Sequence, residues 1–180
     1  MRQVVLASLG AVAIAAVLAL ASMVSADAQR VLRFETMAPV TGPYVGTDAL
    51  NRGVVGGGLP WQIASAEGEL DASGELEVSV TGLVLAARAP VPPQLQGVNP
   101  IATFRATVSC QSIDPNTGAA TVVNVTTDAF PATTGPAAAG GGNARIEATV
   151  SLPHPCIAPI VFVRNGAGAG GGWFAATGVQ

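Results

Sequence analysis

Three segments of this chain alternate apolar and polar residues, and a period of two restricts them to strands with one face on a core. Leu76, Val78 and Val80 alternate with Glu75, Glu77, Ser79 and Thr81. Ala102, Phe104, Ala106, Val108 and Cys110 alternate with Thr103, Arg105, Thr107 and Ser109, and Ala144, Ile146, Ala148, Val150 and Leu152 with Asn143, Arg145, Glu147, Thr149 and Ser151. Weaker strand signals fall at residues 31–36, 61–70, 119–127, 159–164 and 173–177. About eight short strands punctuated by Gly and Pro, with no helical periodicity after the N-terminal segment, predict an all-β fold. The expected architecture is an antiparallel β-sandwich, immunoglobulin-like or jelly-roll in type.

The N-terminal segment has a different character. Arg2 precedes an uncharged apolar run from Val4 to Val24, and small residues follow at Val24, Ala26 and Ala28. That is the layout of a signal peptide over residues 1–28, with cleavage after Ala26 or Ala28. An uncleaved anchor is the alternative, since such a run is long enough to span a bilayer. Small residues after the run, rather than Lys or Arg, favour cleavage and leave no membrane span. Residues 29–180 then form a single exported domain of about 150 residues, which can bury roughly 70% of its unfolded surface.

One hairpin can be registered from its chemistry. Asp71-Ala-Ser-Gly-Glu75 suits a three-residue loop with Gly74 left-handed, which pairs Asp71 with Glu75. Leu70, Gly68 and Ala66 then lie beside Leu76, Val78 and Val80, while Glu69 faces Glu77 and Glu67 faces Ser79. A slip of one residue would place Glu69 on the apolar face, so the pattern selects this register. A second turn is expected at Asp114-Pro-Asn-Thr-Gly118. Residues 38–60, 86–100 and 130–142 read as irregular, and the first carries Tyr44, Asp48, Asn51, Arg52 and the glycines 56–58. A glycine triplet suits either a flexible loop or a loop that approaches a ligand closely, and no following helix or Lys supports a phosphate loop.

The registered hairpin gathers Glu67, Glu69, Asp71, Glu75 and Glu77 on one face, where like charges across a strand pair are unfavourable. One reading is a Ca2+ site, since that ion takes six to eight oxygen ligands. The other is a solvated outer face, screened by salt and partnered by Arg105 or Arg145. Alternating strand positions do not wrap an ion as a loop does, which favours the solvated face. The same carboxylates suggest a glycosidase pair, but that chemistry needs a cleft and one carboxyl in apolar surroundings.

Cys110 and Cys156 both fall in the exported part, where an oxidising compartment favours a disulfide. Cys110 points inward on its strand, and the bond is expected to pin the end of the third alternating strand to the sheet. A zinc site would need more ligands than two Cys and the single His154.

The remaining chemistry is sparse. All eight basic residues are Arg, which excludes lysine-based catalysis. A net charge of −3 without a basic cluster argues against nucleic acid as a partner. No Ser stands in a G-x-S-x-G elbow, and His154 lies in the rigid segment Pro153-His-Pro-Cys156.

The run Arg52-Gly-Val-Val-Gly-Gly-Gly-Leu-Pro-Trp61, the hairpin of residues 69–85, Ala106-Thr-Val-Ser-Cys110, Leu152-Pro-His-Pro-Cys-Ile-Ala-Pro-Ile160 and Trp173-Phe-Ala-Ala-Thr177 resemble a group of exported bacterial proteins. The resemblance covers most of the mature domain. It implies a shared disulfide-bearing β fold and no particular activity.

These readings lead to a non-catalytic exported binding or structural domain, acting on an envelope component or extracellular ligand and needing no cofactor. Two alternatives stand beside it. One is an extracellular hydrolase using carboxylates such as Glu69 and Glu77. The other is a carbohydrate-binding module with Trp61 and Trp173 as stacking platforms.

Overall fold

A computed structural model describes residues 30–46, 50–167 and 171–178. The expected signal peptide of residues 1–28 and Asp48 lie outside them. In chain order the strands are β1 (Arg30–Phe34), β2 (Ala38–Pro39), β3 (Leu50–Asn51), β4 (Val54–Val55), β5 (Trp61–Gln62), β6 (Ser65–Asp71), β7 (Glu75–Thr81) and β8 (Val84–Leu85). They continue with β9 (Val98–Asn99), β10 (Thr103–Ile113), β11 (Ala120–Thr126), β12 (Phe130–Pro131), β13 (Gly135–Pro136), β14 (Ala144–Thr149), β15 (Ile157–Asn165) and β16 (Trp173–Ala176). The longer ones, β1, β6, β7, β10, β11, β14, β15 and β16, fall where sequence periodicity and β-branched content place strands. The rest are two-residue ladders that tie down connections.

The fold is all-β, built on two principal antiparallel sheets. One has the order β1-β6-β7-β14; the other runs β11-β10-β15-β16-β2, with β12 also on β10. The hairpin register is the expected one: Leu70 opposite Leu76, Glu69 opposite Glu77, Gly68 opposite Val78, Glu67 opposite Ser79 and Ala66 opposite Val80. Gly74 takes φ 91°, and a Cβ there would lie 1.9 Å from the Val150 carbonyl oxygen, so the turn admits only glycine. Asp71 closes the loop, its Oδ1 accepting from the Ser73 amide, the Ser73 hydroxyl and the Glu75 amide.

Alternation sends Leu70, Leu76, Val78, Val80 and Ile146 inward from the first sheet, and Phe104, Ala106, Val108, Val161 and Val163 inward from the second. Together they make one core, with Trp61 stacked on Phe174 at 3.9 Å and Phe104 edge-on to both. Phe34 pairs with Gly68, and its ring lies where a Cβ would stand, 2.5 Å away. An aromatic ring therefore fills the gap left by the missing side chain.

In the second sheet the central part, around β10, β15 and β16, is buried on both faces. Thr107, Ser109, Phe162, Arg164 and Trp173 alternate with its core residues and point away from the first sheet, yet all are buried. Residues 42–46 and 50–57, within a stretch expected to be irregular, lie across this second face. Tyr44 meets Trp173 at 6.1 Å, Gly56 bridges to Trp173, and the Arg52 guanidinium donates to the carbonyls of Ser109 and Ala158. Those two carbonyls flank a break in the β10–β15 ladder between Ser109 and Gln111, where Ala158 takes φ 46°. Arg52 thus supplies donors where the ladder cannot.

The disulfide joins Cys110 to Cys156. Its place differs from the expected one. Cys156 immediately precedes β15, so the bond links the start of that strand to its neighbour β10 across the break, rather than pinning β14.

Connections follow local chemistry. Asp114 caps the β10–β11 turn by accepting from the amides of Asn116 and Thr117, and Gly118 takes φ 70°. Asn99, fully buried, ties residues 99–101 to residue 133 by accepting from the Ile101 amide and donating to the Ile101 and Thr133 carbonyls.

Candidate functional site

The outward face of the four-stranded sheet carries most of the protein's charge. Period two puts Arg33, Glu69, Glu77 and Glu147 in one row across β1, β6, β7 and β14, through the pairs Arg33 with Glu69, Glu69 with Glu77 and Glu77 with Glu147. In the next row Glu67 and Arg145 both face Ser79. Glu35 follows β1 on the same side, and Asp71 and Glu75 stand at the turn. Every glutamate of the chain, Glu35, Glu67, Glu69, Glu75, Glu77 and Glu147, is therefore on this one face.

Arginines are interleaved with them. Arg30 Nε lies 3.0 Å from Glu69 and Arg33 3.4 Å from Glu35, while Arg145 sits 3.4 Å from Glu77 and also donates to Glu147. The hydrogen bond from Arg145 to Glu147, then the charges of Glu147, Glu77 and Glu67, raise the Arg145 pKa. Arg145 is the partner anticipated from sequence, and it separates the like charges of Glu77 and Glu147. Arg105, the other anticipated partner, is in the second sheet opposite Arg164. There Arg105 donates to the Gly166 carbonyl, just after β15, and Arg164 to that of Gly171, just before β16. Burial, then the charge of Arg105, lowers the Arg164 pKa.

All five carboxylates singled out in the hairpin are thus on one face, but they splay outward and do not converge. Glu69 and Glu77 have arginine partners, and Asp71 Oδ1 is occupied by its own turn. Among the described residues no group of three or more His, Cys, Asp or Glu side chains is spaced to hold a metal ion. A shallow open trough runs between Arg33, Glu35, Glu67, Glu69, Ser79 and Arg145. Glu67, Glu69, Glu75 and Glu77 are all exposed, so none has the apolar surroundings that a carboxylic general acid needs.

The other singled-out residues have structural neighbours. Trp61 and Trp173 are buried, at 3% and 1% exposure, and neither presents a ring face to solvent. His154 is exposed. Gly56 and Gly57 let the chain approach itself, since a Cβ on Gly56 would lie 1.7 Å from the Tyr44 carbonyl oxygen and one on Gly57 3.2 Å from Phe174, while Gly58 has open space. Glu35, Glu147, Arg30 and Arg33 belong to the charged face although the hairpin alone did not reveal them. The signal for Glu147 and Arg145 was present in the alternation of residues 143–152; that for the β1 residues was not, because β1 joins the sheet only by tertiary pairing.

The turn carboxylate gives this end of the face a pH dependence. The Ser73 hydroxyl first, then the amides of Glu75, Ser73 and Gly74, hold Asp71 below the ordinary carboxylate range. A carboxyl with a depressed folded pKa stabilises the fold while ionised. That contribution is complete above about pH 4 and disappears as pH falls through the folded value. Asp71→Asn keeps an oxygen acceptor but cannot titrate. Thermal midpoints measured from pH 5 to pH 2 are expected to fall more steeply for the wild type than for Asp71→Asn; parallel curves would remove Asp71 from the acid limb.

Compared with protein-family models, with curated proteins and with solved structures, the chain matches none.

Proposed function

We propose that this chain is an exported, non-catalytic β-sandwich domain, immunoglobulin-like or jelly-roll in type, that works by binding at the cell envelope or outside the cell. The observation that carries the reading is the charged face: an open sheet surface on which every glutamate is displayed and interleaved with Arg30, Arg33 and Arg145. Such a surface meets a partner by complementary charge over an area, whereas carboxylate-driven hydrolysis needs a cleft that positions a water and holds one carboxyl in apolar surroundings. The disulfide fits an oxidising compartment. Among the described residues no helix is long and apolar enough to cross a membrane.

The test is co-sedimentation of the exported, oxidised protein with envelopes from its own organism, in low salt, in high salt, and with calcium or chelator. Binding is expected in low salt, weakened by high salt and by the combined substitution Glu67→Gln, Glu69→Gln and Glu77→Gln. Binding lost only on chelation would instead make a bound cation the recognition element. Absence of binding in every condition would overturn the envelope reading, and a hydrolytic activity abolished by Glu69→Gln would overturn the non-catalytic one.

A further inference from the structure

Among the described residues four strands end the strand orders of the two principal sheets, with the two-residue, proline-ended β12 beside β11 on β10. Three of the four carry devices that discourage a further strand. β1 has Arg30 and Arg33 and an irregular register between Arg30 and Leu32; β14 has Arg145 and Glu147; β2 is two residues long and ends in Pro39. Charges, irregularities, prolines and shortness are the usual ways in which edges are protected from pairing. The fourth, β11, has none of them. It runs Ala-Thr-Val-Val-Asn-Val-Thr over seven residues, β-branched at most positions, with no charge and no proline.

Hydrogen bonding shows which groups of β11 no described segment uses. The Asp114 amide donates to the Ala119 carbonyl and the Thr127 amide to that of Ala106, at the two ends of the β10–β11 ladder. Antiparallel ladders alternate, so odd-numbered residues of β11 exchange bonds with β10. Ala120, Val122, Asn124 and Thr126 therefore turn their amides and carbonyls to the open side. No backbone bond from that side to another described segment occurs. Exposed apolar side chains gather at the same corner: Val122 is 43% exposed and Ile157 51%, both opposite Gln111, with Ile113 at 49% two residues along.

We propose that β11 is a self-association strand, and that two copies of this chain join β11 to β11, antiparallel about a two-fold axis through Val123. This register overlaps the whole strand. It places Ala120 opposite Thr126 of the other copy and Val122 opposite Asn124, and these are the residues whose backbone groups no described segment uses. It also keeps side chains on matching faces, because even-numbered residues meet even-numbered ones. The charge distribution permits it: each copy is negative, yet its glutamates stand on the outward face of the other sheet, the paired residues 120–126 carry no charge, and Asp114 and Asp128 lie beyond the ends of the overlap. The assembly closes as a dimer, because β2 at the far edge of the sheet is too short and proline-bearing to continue it. β11 lies in the other sheet from the charged face, so pairing there leaves that face open in each copy.

Sedimentation velocity on the exported, oxidised protein tests it against two edge variants. Val122→Pro removes an amide that β10 does not use and sets a ring in the path of the second copy; Val122→Lys places a charge there. The expected result is a wild-type dimer whose dissociation constant rises at least about tenfold in either variant. Near-UV circular dichroism and the thermal midpoint should stay close to wild type, and if Val122→Pro fails to fold, Val122→Lys decides. A wild type that remains monomeric at the highest concentration reached would overturn the proposal, as would a dimer that survives both substitutions. A monomeric wild type whose envelope binding is lost in Val122→Lys would also overturn it, assigning the edge to a foreign strand.

Discussion

Replacing the disulfide, as Cys110→Ala with Cys156→Ala, is expected to lower the unfolding free energy by about 4 kcal/mol and the thermal midpoint by roughly 10 °C. The bond closes a loop of 46 residues that holds β11, β12, β13 and β14, so its loss frees a quarter of the chain in the unfolded state. Its location adds to that. It crosses the β10–β15 ladder at the break between Ser109 and Gln111, where regular strand pairing is interrupted and Arg52 supplies the missing donors. Differential scanning calorimetry of the oxidised protein and the double variant measures it directly. A change of only a degree or two would mean that Arg52 and the flanking ladder hold the break without the covalent link.

The second large effect is expected within the glycine triplet, and it separates neighbours of identical chemistry. Gly56→Ala sets a Cβ 1.7 Å from the Tyr44 carbonyl oxygen, with Val40 also 3.1 Å away. Backbone cannot yield as a flexible side chain does, so the chain around Tyr44 or around Gly56 must shift, at a cost of about 3 kcal/mol. Gly58→Ala meets nothing within 4 Å and has no positive φ, so it should be neutral or stabilise by up to about 1 kcal/mol through lost unfolded-state freedom. Urea unfolding of the two variants gives the comparison. Equal stabilities would mean that the segment does not lie against the sheet as described.

Much of this architecture was legible because it depends on local periodicity. The 70–76 hairpin could be registered from sequence because a three-residue loop and a buried apolar face each fix the pairing, and both pointed to the same register. The acidic character of the sheet face followed from that register. Its arginine partners were legible only in part: Arg145 sits on an alternating strand, but Arg30 and Arg33 reach Glu69 and Glu35 through β1. Arg105 alternates just as clearly as Arg145, and periodicity gives a face without saying which sheet owns it.

The cysteines show the same boundary. Composition and compartment were enough to expect the bond, and alternation was enough to turn Cys110 inward. Which strands it links depended on β15 beginning immediately after Cys156 and pairing with β10.

By itself, the sequence determined the β class, the principal strand positions, one exact hairpin register and the pairing of two cysteines, because each rests on interactions between residues near in the chain or on the absence of alternatives. Only the tertiary structure decided that residues 42–46 and 50–57 lie over the second face of a sheet, that both tryptophans are interior, and that β11 is an unprotected edge among the described residues. Those outcomes depend on which elements meet across long separations, and period-two patterning is identical for a strand at the centre of a sheet and one at its rim.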